Sequence, residues 1–148
     1  MSKPVRAMTA DDVLTVLALL HEVRAEVWIG GGWGIDALIG EQTRTHRDLD
    51  LMHRREQEDA VLAALNGAAG FVETLDWRPV RAQQASLEPS RPFIYPSSCF
   101  VTGTIGGTTV PCLSAEQQVY FHQGYEPTDR DRHDMAQLRR VFGIATHF

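Results

Sequence analysis

The chain has 148 residues, 43% of them hydrophobic and 22% charged, enough to bury a core of its own without disulfide or metal staples. Fourteen basic against nineteen acidic residues leave a net charge of −5, which argues against nonspecific nucleic-acid binding, where a positive surface must neutralise phosphates. No run approaches the roughly eighteen apolar residues of a membrane span, and the opening MSKPVRAMTADD lacks the apolar stretch of a secretory leader, so the expected location is the cytoplasm, with no membrane partner.

Thr9 and Asp12 form a capping box, and Val13, Leu14, Leu17 and Leu20 follow at helical spacing, which predicts a helix over 11–23. Glu26-Val27-Trp28-Ile29 then lead into Gly30-Gly31-Gly32. This reads as a short strand over 26–30, ending where the backbone can turn sharply and approach a ligand with no Cβ in the way. A helix over 33–39 follows, and the positive end of its dipole favours an anion such as phosphate. Asp48-Leu49-Asp50-Leu51 falls in a strand over 47–52. Residues two apart in a strand share a face, so Asp48 and Asp50 converge while Leu49 and Leu51 face the core. Two such carboxylates are hard oxygen donors of the kind that hold Mg²⁺ together with substrate phosphates. Glycine triplets alone are usually plain turns, and a lone Asp-x-Asp is usually a solvated strand end; the order and spacing of the two point to metal-assisted nucleotidyl transfer.

Residues 54–65 read as a helix with Val61, Leu62 and Leu65 inward, followed by a strand over 71–75 and a Pro- and Gln-containing loop over 82–92. Phe100 to Ile105 and Thr108 to Pro111 make a hairpin, because the intervening Gly106-Gly107 permits the positive φ of a tight turn. Ser114 with Gln117 caps a helix over 115–123, and Thr128 with Asp131 opens the last helix, whose Met135, Leu138 and Phe142 are expected inward before Gly143. Cys99 and Cys112 lack the short spacing of a zinc knuckle and read as reduced, small apolar residues. The order of elements predicts one domain of α/β class, a small mixed sheet with helices mainly on one face.

At this point the chain resembles a known family. Gly31-Gly32-Trp33 followed by Asp48-Leu49-Asp50 is similar to the signature of the polymerase-β-like nucleotidyltransferases. More narrowly, GGGWGID with Thr43-Arg44, His46, Asp48 and Asp50 resembles the aminoglycoside 2″-adenylyltransferase and lincosamide nucleotidyltransferase group. The likeness resumes over GTIGGTTVPCLS at Gly103–Ser114, Gln117, Gln118, His122, Gly124-Tyr125-Glu126 and Asp131-Arg132-His133-Asp134-Met135. It implies the nucleotidyltransferase fold and an adenylyltransferase-like enzyme that uses ATP as substrate and Mg²⁺ as cofactor. Asp48 and Asp50 would hold the metal, Gly31 and Gly32 would cradle phosphates, and the acceptor would be a hydroxyl of a small molecule, an aminoglycoside or a lincosamide. A polycationic acceptor suits a mildly acidic chain.

Between Arg81 and Tyr95 such enzymes carry a third carboxylate in an Asp-x-His-Pro context, whereas Ala82–Pro89 here holds no aspartate. Ser86 stands where that aspartate would lie, and Glu88 is the candidate substitute base. Loss of one catalytic group lowers a rate by roughly 10² to 10⁴, so a nucleotide-binding protein that kept the fold but lost the chemistry is the alternative. A second chain could also supply the carboxylate, which leaves monomer and homodimer both open. Other residues carry paired readings. Arg44 can bind the triphosphate, and His46 can hydrogen-bond phosphate or hold an aspartate, or both can simply line an exposed loop; Asp36 can support the site or only satisfy a helix dipole. Trp33 can stack on a base or sit in the core. Arg132, with Arg130 and His133, can reach the triphosphate from the start of the last helix or form a solvated face.

Overall fold

The computed structural model describes residues 7–66 and 97–148. The chain opens with α1 (Ala10–Glu22), where the Thr9 side chain accepts from Asp12 N and Asp12 returns the bond to Thr9 N, completing the expected capping box. Val13, Val16 and Leu20 make its buried stripe, with Leu14 and Leu17 half-buried beside it. The chain returns as β1 (Val27–Gly30) and passes directly into α2 (Gly31–Ile39). The glycines are therefore not a turn ahead of the helix, as expected, but its N-cap and first turn. Gly31 is left-handed, with φ 57°, so the reversal and the helix start coincide. Gly40, also left-handed, ends α2.

A loop then leads to β2 (Asp50–His53), a 3₁₀ turn at Arg55–Gln57 and α3 (Glu58–Asn66). β2 starts three residues later than expected, so Asp48 lies just ahead of the ladder while Asp50 is its first residue, paired with Gly30. The expected strand over 71–75, the loop over 82–92 and Glu88 lie outside the described residues.

After a second 3₁₀ turn at Ser97–Cys99 come β3 (Phe100–Ile105) and β4 (Thr108–Leu113), joined by Gly106 and Gly107 with φ of 56° and 80°. α4 (Ala115–Phe121), capped by Ser114, and α5 (Asp129–Phe142), opened by the Thr128–Asp131 capping box, complete the chain. The sheet has the order β2-β1-β4-β3, with β1 and β4 parallel and the other pairs antiparallel. It is the small mixed sheet that the sequence predicts.

Val27 and Ile29 of β1 and Val110 and Cys112 of β4 meet Val13, Val16, Leu20, Trp33, Val61 and Leu65 in the main core. A second cluster, Ile35, Ala115, Val119, Met135 and Leu138, ties α2 to α4 and α5. Phe142 was expected inward but is exposed, while Ile144 and Phe148 beyond the helix pack on this cluster. Cys99 and Cys112 are free and buried, and burial pushes the Cys112 thiol up to about 11. No helix among the described residues is long and apolar enough to cross a membrane.

α2 lies so close to β3 that a Cβ on Gly103 would run into the Ala37 carbonyl, whose carbon is 2.5 Å from that position. Gly103→Ala should therefore cost about 1–3 kcal/mol, the range for overpacking, seen as a melting temperature lower by some 2–4 °C per kcal/mol. Gly106→Asn, at a left-handed position with nothing within 4 Å, should melt close to the parent. Equal melting of all three proteins would refute the close approach.

Candidate active site

The pairing of Gly30 with Asp50 places the first residue of β2 beside the first turn of α2. The Asp50 carboxylate packs down on Gly31, where any Cβ would strike Oδ2 and lie 3.1 Å from Cγ. Asp50 as a residue keeps an exposed surface, yet its carboxylate is desolvated by this packing. Burial pushes its pKa up, the Asp48 charge adds to the shift, and His122 opposes it. Asp50 therefore senses the charge of Asp48, and Leu49 between them is buried.

The segment from Gly40 to Leu49 carries Asp48 and is fastened from two sides. Asp36, 1% exposed in the middle of α2, accepts from Thr43 N at 3.0 Å, Thr43 Oγ1 at 2.6 Å and His46 Nε2 at 2.5 Å. His46 is 2% exposed and tilts against the Trp33 ring at 4.6 Å between centroids. From α5, Asp134 accepts two bonds from Arg44, Nε to Oδ1 and Nη2 to Oδ2, both 2.8 Å. His133 meets Thr43 Oγ1 at 2.9 Å; that hydroxyl gives its proton to Asp36, so it accepts from His133 Nε2. The Asp134 hydrogen bond, aided by the Asp134 charge, raises Arg44 above its ordinary value against the opposing effect of burial. Arg44 and His46 both sit on Gly32, where a Cβ would strike the guanidinium and lie 2.6 Å from His46 Nδ1.

α4 completes the surroundings of the glycines. Gln118, fully buried, donates Nε2 to the Gly31 carbonyl at 3.3 Å. One turn on, His122 donates Nδ1 to the Gln118 carbonyl at 2.6 Å, and its Nε2 lies 3.9 Å from Asp131 Oδ1. At the start of α5, Arg132 is exposed and donates Nη1 to the Pro127 carbonyl at 3.0 Å.

These positions choose between the paired readings of two residues. Trp33 does not present a face to a base but takes its core reading: it is 2% exposed, in the main core, with its indole N–H on the Met8 carbonyl at 3.0 Å. His46 is turned inward and holds an aspartate, Asp36, so it is not on an exposed loop. Arg44 is engaged with Asp134, Asp50 lies on Gly31, and Asp48 is near enough to Asp50 to raise its pKa. Three residues that sequence reasoning gave no part in the site, Asp134, Gln118 and His122, are in contact with it. A signal for two of them existed: Gln118 and Asp134 are polar residues at core-facing positions, Gln118 beside Val119 and Asp134 one turn before Leu138.

The donor set suits a hard divalent cation in part. Asp48 and Asp50 offer oxygen ligands from one edge, and the raised pKa of Asp50 marks a place where negative charge lacks a counter-charge. Among the described residues no group of three His, Cys, Asp or Glu side chains converges, so these two fit a cation whose remaining ligands are water and substrate oxygens.

Two predictions follow from this geometry. Because Asp50 is raised in the folded state, the native protein holds a proton that the unfolded chain has already released just above the ordinary aspartate value of about 3.9. Stability is then lost as pH rises through the folded pKa. Asp50→Asn should melt above the parent at neutral pH, with the gap closing in acid; a lower melting temperature at pH 7 would contradict the assignment. A double-mutant cycle of Arg44→Ala and Asp134→Ala, read by denaturant unfolding, should give a coupling of about 0.5–3 kcal/mol, and zero coupling would mean that the bidentate pair does not fasten the loop.

Comparisons with known proteins give the family. The profile of the aminoglycoside-2″-adenylyltransferase family matches residues 12–86 and 81–138. A 2″-aminoglycoside nucleotidyltransferase of Escherichia coli is 42% identical over 133 residues, 75% of this chain and 72% of that one. A lincosamide resistance protein of Staphylococcus haemolyticus is 25% identical over 156 residues, covering 90% of this chain and 96% of that one. In fold, the chain superposes on the lincosamide antibiotic adenylyltransferase LnuA, solved with lincomycin bound, with a TM-score of 0.74 and 22% identity over 92% of this chain and 99% of that one. It also superposes on ANT(2″)-Ia in complex with adenylyl-2″-tobramycin, with a TM-score of 0.62 and 25% identity over 89% and 86% of the two chains. With a matched profile that spans both the glycine–aspartate half and the C-terminal helices, the chain belongs to the aminoglycoside-2″-adenylyltransferase family of nucleotidyltransferases.

Proposed function

We propose that the protein transfers the adenylyl group of ATP to a hydroxyl of an aminoglycoside or lincosamide antibiotic, with Mg²⁺ as cofactor. The observation that carries this reading is the Asp50 carboxylate pressed against the Cβ-less first turn of α2, with Asp48 near enough to raise its pKa. A triphosphate laid on Gly31 and Gly32 meets the N–H groups and the positive dipole end of α2. Mg²⁺ held by Asp48 and Asp50 would stabilise the negative charge on the attacking and leaving oxygens.

The chain's own residues do the rest. Asp36 and Asp134 hold His46, Thr43 and Arg44, and through them the segment that ends in Asp48, so both carboxylates meet the substrate without a cost of reordering. In this reading Arg44 and His46 act on the triphosphate through the loop they hold, and Arg132, exposed at the start of α5, is the cation that reaches a phosphate oxygen. The acceptor oxygen attacks the α-phosphorus in line and pyrophosphate leaves. Glu88 is the proposed base for the hydroxyl proton.

The test is pyrophosphate release with ATP and either tobramycin or lincomycin, with the product's gain of one adenylyl group followed by mass spectrometry. Asp48→Asn and Asp50→Asn should each lower kcat by about 10²–10³, the scale of losing one stabilising group in the transition state, and Glu88→Gln should lower it too. Mg²⁺ should raise the melting temperature of the parent and not that of Asp50→Asn. An active Asp50→Asn would refute the role of the carboxylates, and nucleotide binding without transfer to any acceptor would favour a protein that binds without reacting.

A further inference from the structure

We infer that His122 is a nucleotide-binding residue of this site, its Nε2 directed at an oxygen of the ATP triphosphate. The inference rests on the adenylyltransferase reading above and deepens it. The ring is held by one edge. Nδ1 lies 2.6 Å from the Gln118 carbonyl, and since a carbonyl oxygen only accepts, Nδ1 carries the hydrogen and Nε2 is the nitrogen left for a ligand. Gln118 in turn holds the Gly31 carbonyl through its own Nε2 at 3.3 Å. The imidazole is thereby registered against the glycine turn on which the triphosphate would lie.

The ring's surroundings point the same way. Nε2 faces the space between α4 and the start of α5, where its neighbour is Asp131 Oδ1 at 3.9 Å, too long for a hydrogen bond. The other carboxyl oxygen of Asp131 is taken by the helix cap, accepting from Thr128 N at 2.9 Å and Thr128 Oγ1 at 3.1 Å. His122 is also near enough to Asp50 to act on its carboxyl electrostatically. A group fastened to the residue that holds the Gly31 carbonyl, and set beside the helix start that presents Arg132, is placed for the phosphates, not for the acceptor. In the proposed complex Nδ1–H stays on Gln118, and Nε2–H makes a charge-assisted bond to a phosphate oxygen.

The test compares the parent with His122→Phe, which keeps the ring's size without its nitrogens, and His122→Gln, whose amide can place an N–H near the position of Nε2. Each is titrated by calorimetry with a nonhydrolysable ATP analogue and Mg²⁺, alongside steady-state kinetics and a thermal melt. Loss of one hydrogen bond to a charged group corresponds to roughly a 10- to 100-fold weakening. His122→Phe should therefore raise the Kd of the analogue and the KM for ATP by that factor, leave the KM of the antibiotic unchanged, and be partly rescued in His122→Gln. An unchanged nucleotide Kd in a folded His122→Phe overturns the inference. A fall in kcat with nucleotide affinity intact does so as well, and would place the ring at the acceptor's proton instead. If the parent itself binds no analogue, the adenylyltransferase reading fails first and the inference with it, whereas a parent that binds beside an unchanged variant refutes the inference alone.

Discussion

The Asp36 carboxylate is the point from which the rest of the site hangs. It is buried in α2, where an unpaired charge would be costly, and three donors from the following loop satisfy it, the Thr43 backbone, the Thr43 hydroxyl and His46. Those bonds fold residues 40–49 back over the helix that carries the glycines. Arg44 then faces outward from the same loop to meet Asp134, ninety residues away, and His133 closes on Thr43 across the same separation. The loop that delivers Asp48 is therefore held between α2 and α5, and neither helix could be repacked without moving it. A polar network of this kind rigidifies only if every member is satisfied, and here each charged group has a charged or strongly polar partner.

The glycines acquire a second meaning in this light. A turn and a positive φ explain Gly31, but Gly32 is an ordinary helical residue whose missing Cβ matters because Arg44 and His46 occupy its place. Asp50 does the same above Gly31. The two glycines let side chains from β2 and from the loop settle on the helix start, so the surface offered to phosphate and the carboxylates beside it are set by one close approach.

Much of this was legible because it is local. The Thr9–Asp12 and Thr128–Asp131 capping boxes, the Ser114 cap and the Gly106–Gly107 turn each lie within four residues and appear where the sequence places them. The expected strand over 47–52 was too long at its start: only Asp50 belongs to the ladder, so the period of two does not reach Asp48. What was not legible depends on distance along the chain. Nothing in the local pattern of GEQTRTHRD says that Arg44 will meet Asp134 or which aspartate His46 will hold, because a charged run of that composition is equally suited to water. Phe142 has the helical spacing from Leu138 that predicts burial, yet it is exposed, because periodicity reports a face of the helix and not what packs on it.

The placement of α4 and α5 ties the glycine–aspartate edge to the second core cluster. Gln118, His122, Asp134 and the loop they touch all bear on the glycine–aspartate edge, and the second core cluster of Ile35, Val119, Met135 and Leu138 makes α2, α4 and α5 a single packed unit. Close-packed interiors transmit displacement and tolerate little of it, so a change on α4 or α5 is felt at the Gly31 carbonyl and at the loop that carries Asp48. In the proposed reaction this fixed edge is the part that would meet the nucleotide, and the acceptor would be met by elements free of those contacts, which separates the group that is transferred from the molecule that receives it.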